Sequence, residues 1–292
     1  MPRPQAPPTR IHRWREGAWQ RADDELAAEE PLEILLDGDP LSIVMRTPGN
    51  DIELTLGLLW AERVITSMRQ VASIRISVEA GEDEGAVGVE AMLIEANRVD
   101  VRLRDGPSRR PQRSFMSTAA CGVCGATTVE ALALDFPEVA EGPVVDPTLL
   151  VRLAGEMRRH QRLFDRTGGL HAAGLFDGDG RMLVLREDVG RHNSVDKVVG
   201  RALLDGMVPL AGKLLAVSGR GGYEIVQKAV AASIPVVAAV GAPSSLAVAT
   251  AARFGVTLVG FLRDGRFNIY SRPQRIAGAH SEVIRGTTAS PL

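Results

Sequence analysis

Cysteine and aromatic side chains are scarce in this 292-residue chain: there are two cysteines, and Phe, Trp and Tyr together make up 4% of it. Two thiols cannot staple a disulfide scaffold, so the fold must come from an aliphatic core, which 45% hydrophobic residues can supply. A dominant charge is missing as well. The net charge is −2 and the isoelectric point about 6.2, so no global field draws the chain to nucleic acid or to an anionic membrane. Proteins and small molecules are the expected partners, with no nucleic acid and no membrane. The start holds four prolines by position 8 and no apolar stretch of the secretory kind. A cytoplasmic location, where thiols stay reduced, is therefore expected. Residues 229–252 carry no charge, but Pro235, Gly241, Pro243, Ser244 and Ser245 interrupt them. They read as a buried strand, a turn and the start of a helix, not as a membrane span.

Both cysteines stand in one glycine-flanked motif, Cys121-Gly122-Val123-Cys124-Gly125. Three chemistries use such a CxxC. A structural zinc site needs four ligands, and there is no second CxxC and no HxxxH to complete one. A thioredoxin-type dithiol sits where a strand meets a helix, whereas here a loop rich in proline and arginine precedes the motif, although 127–134 could form a short helix after it. Sulfur relay through a persulfide is the third. Gly122 and Gly125 leave room beside each sulfur, and Arg109, Arg110 and Arg113 favour the thiolate.

Length allows one large domain or two ordinary ones. Residues 1–30 read as a flexible arm, and 31–104 as a strand-rich region. In the latter, runs at 32–37 and 41–47 are joined by a turn at Gly38-Asp39-Pro40, a helix starts near Asp51 with Leu54, Leu58 and Val64 on one face, and strands cover 71–78 and 91–103. Residues 105–145 read as the loop segment carrying the cysteines, and 276–292 as a tail. Between them, 146–275 alternate apolar strands with amphipathic helices. Asp146-Pro147 opens a helix to about Gln161, and Asp177-Gly178-Asp179-Gly180 joins strands at 171–176 and 182–187. Helices at 193–204, 223–233 and 244–254 then alternate with strands at 213–217, 235–240 and 256–262, and a short strand at 267–270 closes the series. This predicts an α/β layered domain with helices on both faces of the sheet.

Three glycine turns each follow a predicted strand and precede a predicted helix: Asp188-Val189-Gly190-Arg191, Ser218-Gly219-Arg220-Gly221-Gly222 and Gly241-Ala242-Pro243-Ser244. Turns of this kind put helix N-termini and free backbone N–H groups at the carboxyl ends of strands, where anions bind. None is a Walker A loop or a GxGxxG fingerprint. Arg191 and Arg220 add charge suited to phosphate. Asp188, Asn193 and Asp196 are candidates for contact with a base or sugar, and His192 for ligand contact or acid–base work. Lys197 is expected to face solvent or to pair with an acid, and Asp177 and Asp179 to form a turn. Together the turns favour a nucleotide ligand.

Several of these segments resemble the formate dehydrogenase accessory sulfurtransferase (FdhD/NarQ) family. They are Ser117 through Gly125, Thr167-Gly168-Gly169-Leu170-His171-Ala172-Ala173, and Arg186-Glu187-Asp188-Val189-Gly190-Arg191-His192-Asn193. Ser218-Gly219-Arg220, Gly241-Ala242-Pro243 and Val259-Gly260-Phe261-Leu262-Arg263 extend the likeness to about residues 30–275. The resemblance implies a sulfur carrier that takes sulfur from a cysteine desulfurase and delivers it to the Mo-bis(molybdopterin guanine dinucleotide) cofactor, or its tungsten counterpart, before that cofactor enters formate dehydrogenase. It implies that Cys121 holds the persulfide while Cys124 assists or relays, and that no metal is permanently bound. It also places cofactor binding at Phe261, Leu262, Arg263, Asp264, Gly265 and Arg266. The implied fold is similar to that of cytidine deaminases, and the implied assembly is a homodimer. Deaminase chemistry itself is not expected, since His171-Ala172-Ala173 lacks the glutamate of H-x-E and no cysteine follows Cys124. Gly221-Gly222 departs from the family pattern, where a small residue and a serine are expected, and Gly241 stands where serine is common. A cofactor-binding chaperone and a dithiol oxidoreductase are the rival readings.

Overall fold

A computed structural model of the chain describes residues 4–77, 97–109, 115–117 and 136–279. Cys121, Cys124, the acidic run at 81–85 and the helix expected at 127–134 lie outside the described residues.

The N-terminal arm is structured where a loose segment was expected. β1 (Pro8–Arg15) and β2 (Ala18–Glu25) pair antiparallel, with Trp14 facing Trp19. Both residues of the connecting Glu16-Gly17 turn have positive φ, 52° and 85°, the geometry that matches the twist of a hairpin. Mixed charge hid this ribbon, because neither of its faces is apolar. β3 (Glu30–Leu36) and β4 (Asp39–Arg46) form a second hairpin. Its turn is Asp37-Gly38, φ 55° and 89°, so Asp39 and Pro40 belong to the strand and not to the turn. α1 (Asp51–Ala61) ends short of Val64 and is buried on nearly every side. β5 (Val71–Ser77), β6 (Arg98–Leu103) and β7 (Phe115–Ser117) complete a five-stranded sheet in the order β5-β6-β3-β4-β7.

α2 (Pro147–His160) begins as predicted, with Asp146 Oδ1 accepting the Thr148 N–H at 2.7 Å. A short α3 (Arg162–Thr167) follows it. Next come β8 (His171–Phe176), β9 (Met182–Asp188), α4 (Arg191–Leu204), β10 (Leu214–Val217), α5 (Tyr223–Ala231), β11 (Val236–Ala239), α6 (Ser245–Arg253), β12 (Thr257–Arg263) and β13 (Arg266–Ser271). They build a six-stranded mixed sheet in the order β13-β12-β11-β10-β8-β9, with β10, β11 and β12 parallel. Leu, Val and Ala fill its central strands β10 and β11, all of them buried, as expected where both faces are covered.

The two faces are covered unequally. Val195, Val198, Ile225, Val226, Ala229, Ala247 and Ala251, from α4, α5 and α6, pack on Leu215, Val217, Val237, Ala239 and Leu258. On the other face, α2 alone sets Leu150, Leu153 and Met157 against Ala172, Leu214, Ala216, Val236 and Ala238. The first core also takes in Leu32, Ile34, Leu54, Leu59 and Val99, so the N-terminal sheet and α1 share it rather than standing apart. The domain also reaches past its expected limits. The Val139 N–H bonds Phe254 O at 2.8 Å, and the Ala277 N–H bonds Val145 O at 3.0 Å.

α1 crosses α4 through reciprocal glycines. A Cβ on Gly57 would lie 2.0 Å from Asp196 O, and one on Gly200 1.8 Å from Glu53 O. Two backbones this close leave no room for any side chain at either position.

Candidate nucleotide site

The parallel strands β10, β11 and β12 end at one edge of the six-stranded sheet, and the antiparallel β8 begins there. The glycine turns of the sequence meet at this edge. The Gly241 N–H donates to Gly219 O at 2.9 Å, and the Phe261 N–H donates to Gly241 O at 3.1 Å, so the second and third turns and the end of β12 are stitched in a row. A Cβ on Gly241 would stand 3.0 Å from Gly219 O and 3.1 Å from Arg220 Cα. That close approach accounts for the glycine at this position. Ser218 extends the β8–β10 ladder, its Oγ accepting the Ala172 N–H at 2.9 Å.

Against this edge lies a cavity of about 550 Å³, within the range of small-ligand sites. Met157, Arg158 and Gln161 of α2 and its end, Phe164 of α3, and Gly168 to His171 form one wall. Ser218, Val240, Leu262 and Arg263 form the other. Glu187 fixes α3 by accepting the N–H groups of Leu163 and Phe164 at 3.0 and 2.8 Å, a carboxylate at a helix N-terminus. From outside, Arg166 forms a bidentate pair with Glu25 of β2, 2.8 and 2.5 Å. The wall is thus braced from two directions.

Of the segment 261–266, Leu262 and Arg263 line the cavity. Phe261 sits at a β-bulge with φ 54°, outside ordinary strand space, and the Arg263 guanidinium lies 5.9 Å from its ring centroid. Arg263 makes no ion pair among the described residues, which leaves its charge available to an anion. Asp264 and Gly265, φ 54° and 73°, are the exposed turn between β12 and β13, and Arg266 opens β13.

The first glycine turn divides its residues between site and interior. Gly219 brings His171 and Arg191 together: a Cβ there would be 3.3 Å from His171 Nδ1 and 3.7 Å from Arg191 Cβ. Arg191 Nε is buried without a hydrogen-bond partner among the described residues. His192 turns away to Glu224, with Nδ1 2.8 Å from Oε2. Burial works to raise the Glu224 carboxyl, but the bond from His192 and the charges of His192, Lys228 and Arg191 outweigh it and hold the group below its ordinary value. Arg220 is exposed at the turn.

Asp188 and Asn193 face inward. Asp188 is fully buried, with Oδ2 2.7 Å from Lys197 Nζ and 3.2 Å from the Thr47 N–H. Its Oδ1 accepts the Gly190 N–H at 2.8 Å and Asn193 Nδ2 at 2.9 Å. Lys197, 1% exposed, also donates to Thr47 O at 2.8 Å. Asp196, the other carboxyl considered for the ligand, pairs in the interior with Lys228 at 2.7 Å. Burial pushes it up to about 6 against the pull of that lysine. These groups lock the β9–α4 turn to the N-terminal region and face away from the cavity lining.

The α2–α3 wall escaped the sequence reading altogether. Met157 looks like core and Gln161 like a helix end, and no local pattern marks either as lining a cavity. His171 stood inside one of the recognisable segments without a role. Burial, then the charges of Arg191 and His192, hold its imidazole below the usual histidine range, with Asp188 opposing. Among the described residues no cluster of metal-ligating side chains occurs, and no helix is long and apolar enough to cross a membrane.

The fold and this edge define a mixed α/β protein with a strand-rich N-terminal region and a cavity suited to an anionic small molecule. The chain belongs to the FdhD/NarQ family, whose pattern it matches over residues 27–277. The sulfur carrier protein FdhD of Streptomyces coelicolor is 46% identical over 274 residues, covering 92% of this chain and 94% of that protein. The protein of the same name from Mycobacterium tuberculosis is 44% identical, covering 87% and 92%. A crystal structure from Desulfotalea psychrophila, described as that of a formate dehydrogenase accessory protein, superposes with a TM-score of 0.71 at 26% identity. It covers 94% of this chain and all of that one.

Proposed function

We propose that this protein is a sulfur carrier and transferase serving formate dehydrogenase, and that the strand-edge cavity holds a guanine nucleotide portion of the molybdenum cofactor that receives the sulfur. The observation that carries the reading is the cavity itself. It joins an apolar floor to Ser218, Arg263 and the stitched glycine turns, with Arg191 beside it, in a chain whose family relatives are named as sulfur carriers. Phosphates suit the arginines and the backbone of the turns, and a base suits the apolar wall. Phe261 and Arg266 flank this segment, while Gly190 and Gly241 serve as backbone and not through side chains.

In this reading Cys121 acts as a thiolate on the outer sulfur of a persulfide carried by a cysteine desulfurase. A new S–S bond forms at Cys121 as the donor's S–S bond breaks, and the donor cysteine leaves as a thiolate. Cys124 assists or relays. Holding the acceptor in the cavity turns delivery into a positioned reaction, the source of its rate. The carrier works in the cytoplasm, as a homodimer.

The test is intact mass after incubation with a cysteine desulfurase and cysteine. Wild type should gain one sulfur that dithiothreitol removes, and Cys121→Ala should not. No gain in wild type would replace the carrier with a cofactor-binding chaperone.

A further inference from the structure

Gln161 is the unexplained polar group of the cavity. It joins α2 to α3 and is only 3% exposed as a residue, and its carboxamide, which has no hydrogen-bond partner among the described residues, is not sealed in the interior but opens onto the cavity it lines. The backbone around it is fully engaged: the Gln161 N–H bonds Arg158 O at 3.3 Å, and Gln161 O accepts the Asp165 N–H at 3.0 Å. A carboxamide held by a nearly buried residue and open only to the cavity has its donor and acceptor free for what the cavity holds. Its neighbours are apolar or already engaged. Met157 and Phe164 offer no polar atom that could serve, and Arg158 is bound to Asp165 at 2.5 Å and lies over the Phe164 ring.

We infer that Gln161 reads the base of the bound nucleotide. This rests on the reading of the cavity as a guanine nucleotide site, and it assigns the base to the α2–α3 wall and the phosphates to the strand edge with Arg263 and Arg191. A carboxamide presents one donor and one acceptor side by side. That pair matches O6 and N1–H of guanine in two parallel hydrogen bonds. Shape supports the placement, because Phe164 and Met157 stand beside Gln161 and offer apolar surface to a flat ring.

The experiment is calorimetric titration of the full chain with GDP and, separately, with inorganic pyrophosphate. Gln161→Ala and Gln161→Met should each weaken GDP binding about tenfold or more, the loss expected for two hydrogen bonds to a buried amide. Pyrophosphate affinity should stay within about twofold, since its contacts are elsewhere. Gln161→Met keeps the side-chain volume, so an intact pyrophosphate isotherm in that variant shows a folded site. GDP binding unchanged in both variants would overturn the role of Gln161 while leaving the nucleotide site standing. Wild type that binds pyrophosphate but gains nothing from the guanosine would overturn the nucleotide reading and this inference together.

Discussion

The reciprocal glycines at the α1–α4 crossing give the sharpest test of how this fold is held. Gly200→Ala adds one methyl group 1.8 Å from Glu53 O, where contacts under 3.0 Å essentially never occur. Both sides are helical backbone, so no side chain can swing away, and the helices must separate by about 1 Å or more. Overpacking of this kind costs about 1–3 kcal/mol, with the upper end expected where nothing yields. Alanine's better helix propensity returns about 1 kcal/mol, leaving a net loss of about 2 kcal/mol. Gly155→Ala, on the exposed side of α2 with nothing within 4 Å of the new Cβ, should instead gain about 0.5–1 kcal/mol by the same propensity. Urea unfolding followed by circular dichroism measures both, as midpoint shifts of opposite sign. Adding Gly57→Ala to Gly200→Ala should cost less than the two single losses combined, because helices already parted accept the second methyl more easily. A Gly200→Ala protein as stable as wild type would refute the reasoning, since it would mean that this crossing is looser than its backbone distances.

Two further outcomes follow from the buried and half-buried ionisable groups. Lys197→Met removes the cation that lies 2.7 Å from Asp188 and should cost about 3–5 kcal/mol, the usual result of stranding a buried charge; a stability within about 1 kcal/mol of wild type, or no partial recovery on adding Asp188→Asn, would contradict it. At His171, burial and then the Arg191 and His192 charges hold the free imidazole below its ordinary value, and an anion in the cavity offsets those charges. Binding therefore takes up a proton, and nucleotide affinity should rise as pH falls through the window between the free and bound values. Calorimetry across that range should show a slope that His171→Gln flattens, and a slope unchanged by that substitution would remove His171 from the site.

Much of the fold could be read from the sequence, because its signals are local. Asp146-Pro147 caps α2, Ser244 Oγ accepts the Ala247 N–H to cap α6, and Asp177 Oδ1 accepts the Asp179 and Arg181 N–H groups in the β8–β9 turn. The same holds for the glycine turns, where missing side chains advertise close backbone approach. What escaped was decided by tertiary partners. The β1–β2 ribbon has no apolar face, so period-two alternation could not reveal it, and its base is held by Arg166, 141 residues away from Glu25. Helices were expected on both faces of the sheet, but their unequal division depends on which face α1 and the N-terminal sheet cover. Asp188 and Asn193 sat in a turn that looked ready for a ligand. Only their partners Thr47, Met45 and Lys197 show that they face the interior.

Those interior partners also explain why the strand-rich region belongs to the site without lining the cavity. Arg46 holds Asp51 through two bonds of 2.9 Å at the β4–α1 junction, and Thr47 beside it takes both Asp188 and Lys197. The turn that presents Arg191 is therefore fastened to the start of α1. The other end of α1 moors the flanks of the cysteine-bearing segment: the Ser108 N–H bonds Val64 O at 2.9 Å, and the Arg63 guanidinium lies 5.3 Å from the Phe136 ring centroid. One helix, pressed onto α4 through two glycines, thus connects the anchoring of the cysteine-bearing segment to the anchoring of the cavity edge. Under the proposed function, bringing a persulfide and its acceptor into register needs such a common frame, because an error of about 1 Å in placement can cost a hundredfold in rate. The glycine crossing is on this argument a requirement of alignment as well as of packing, and its disturbance should reach both ends of α1 at once.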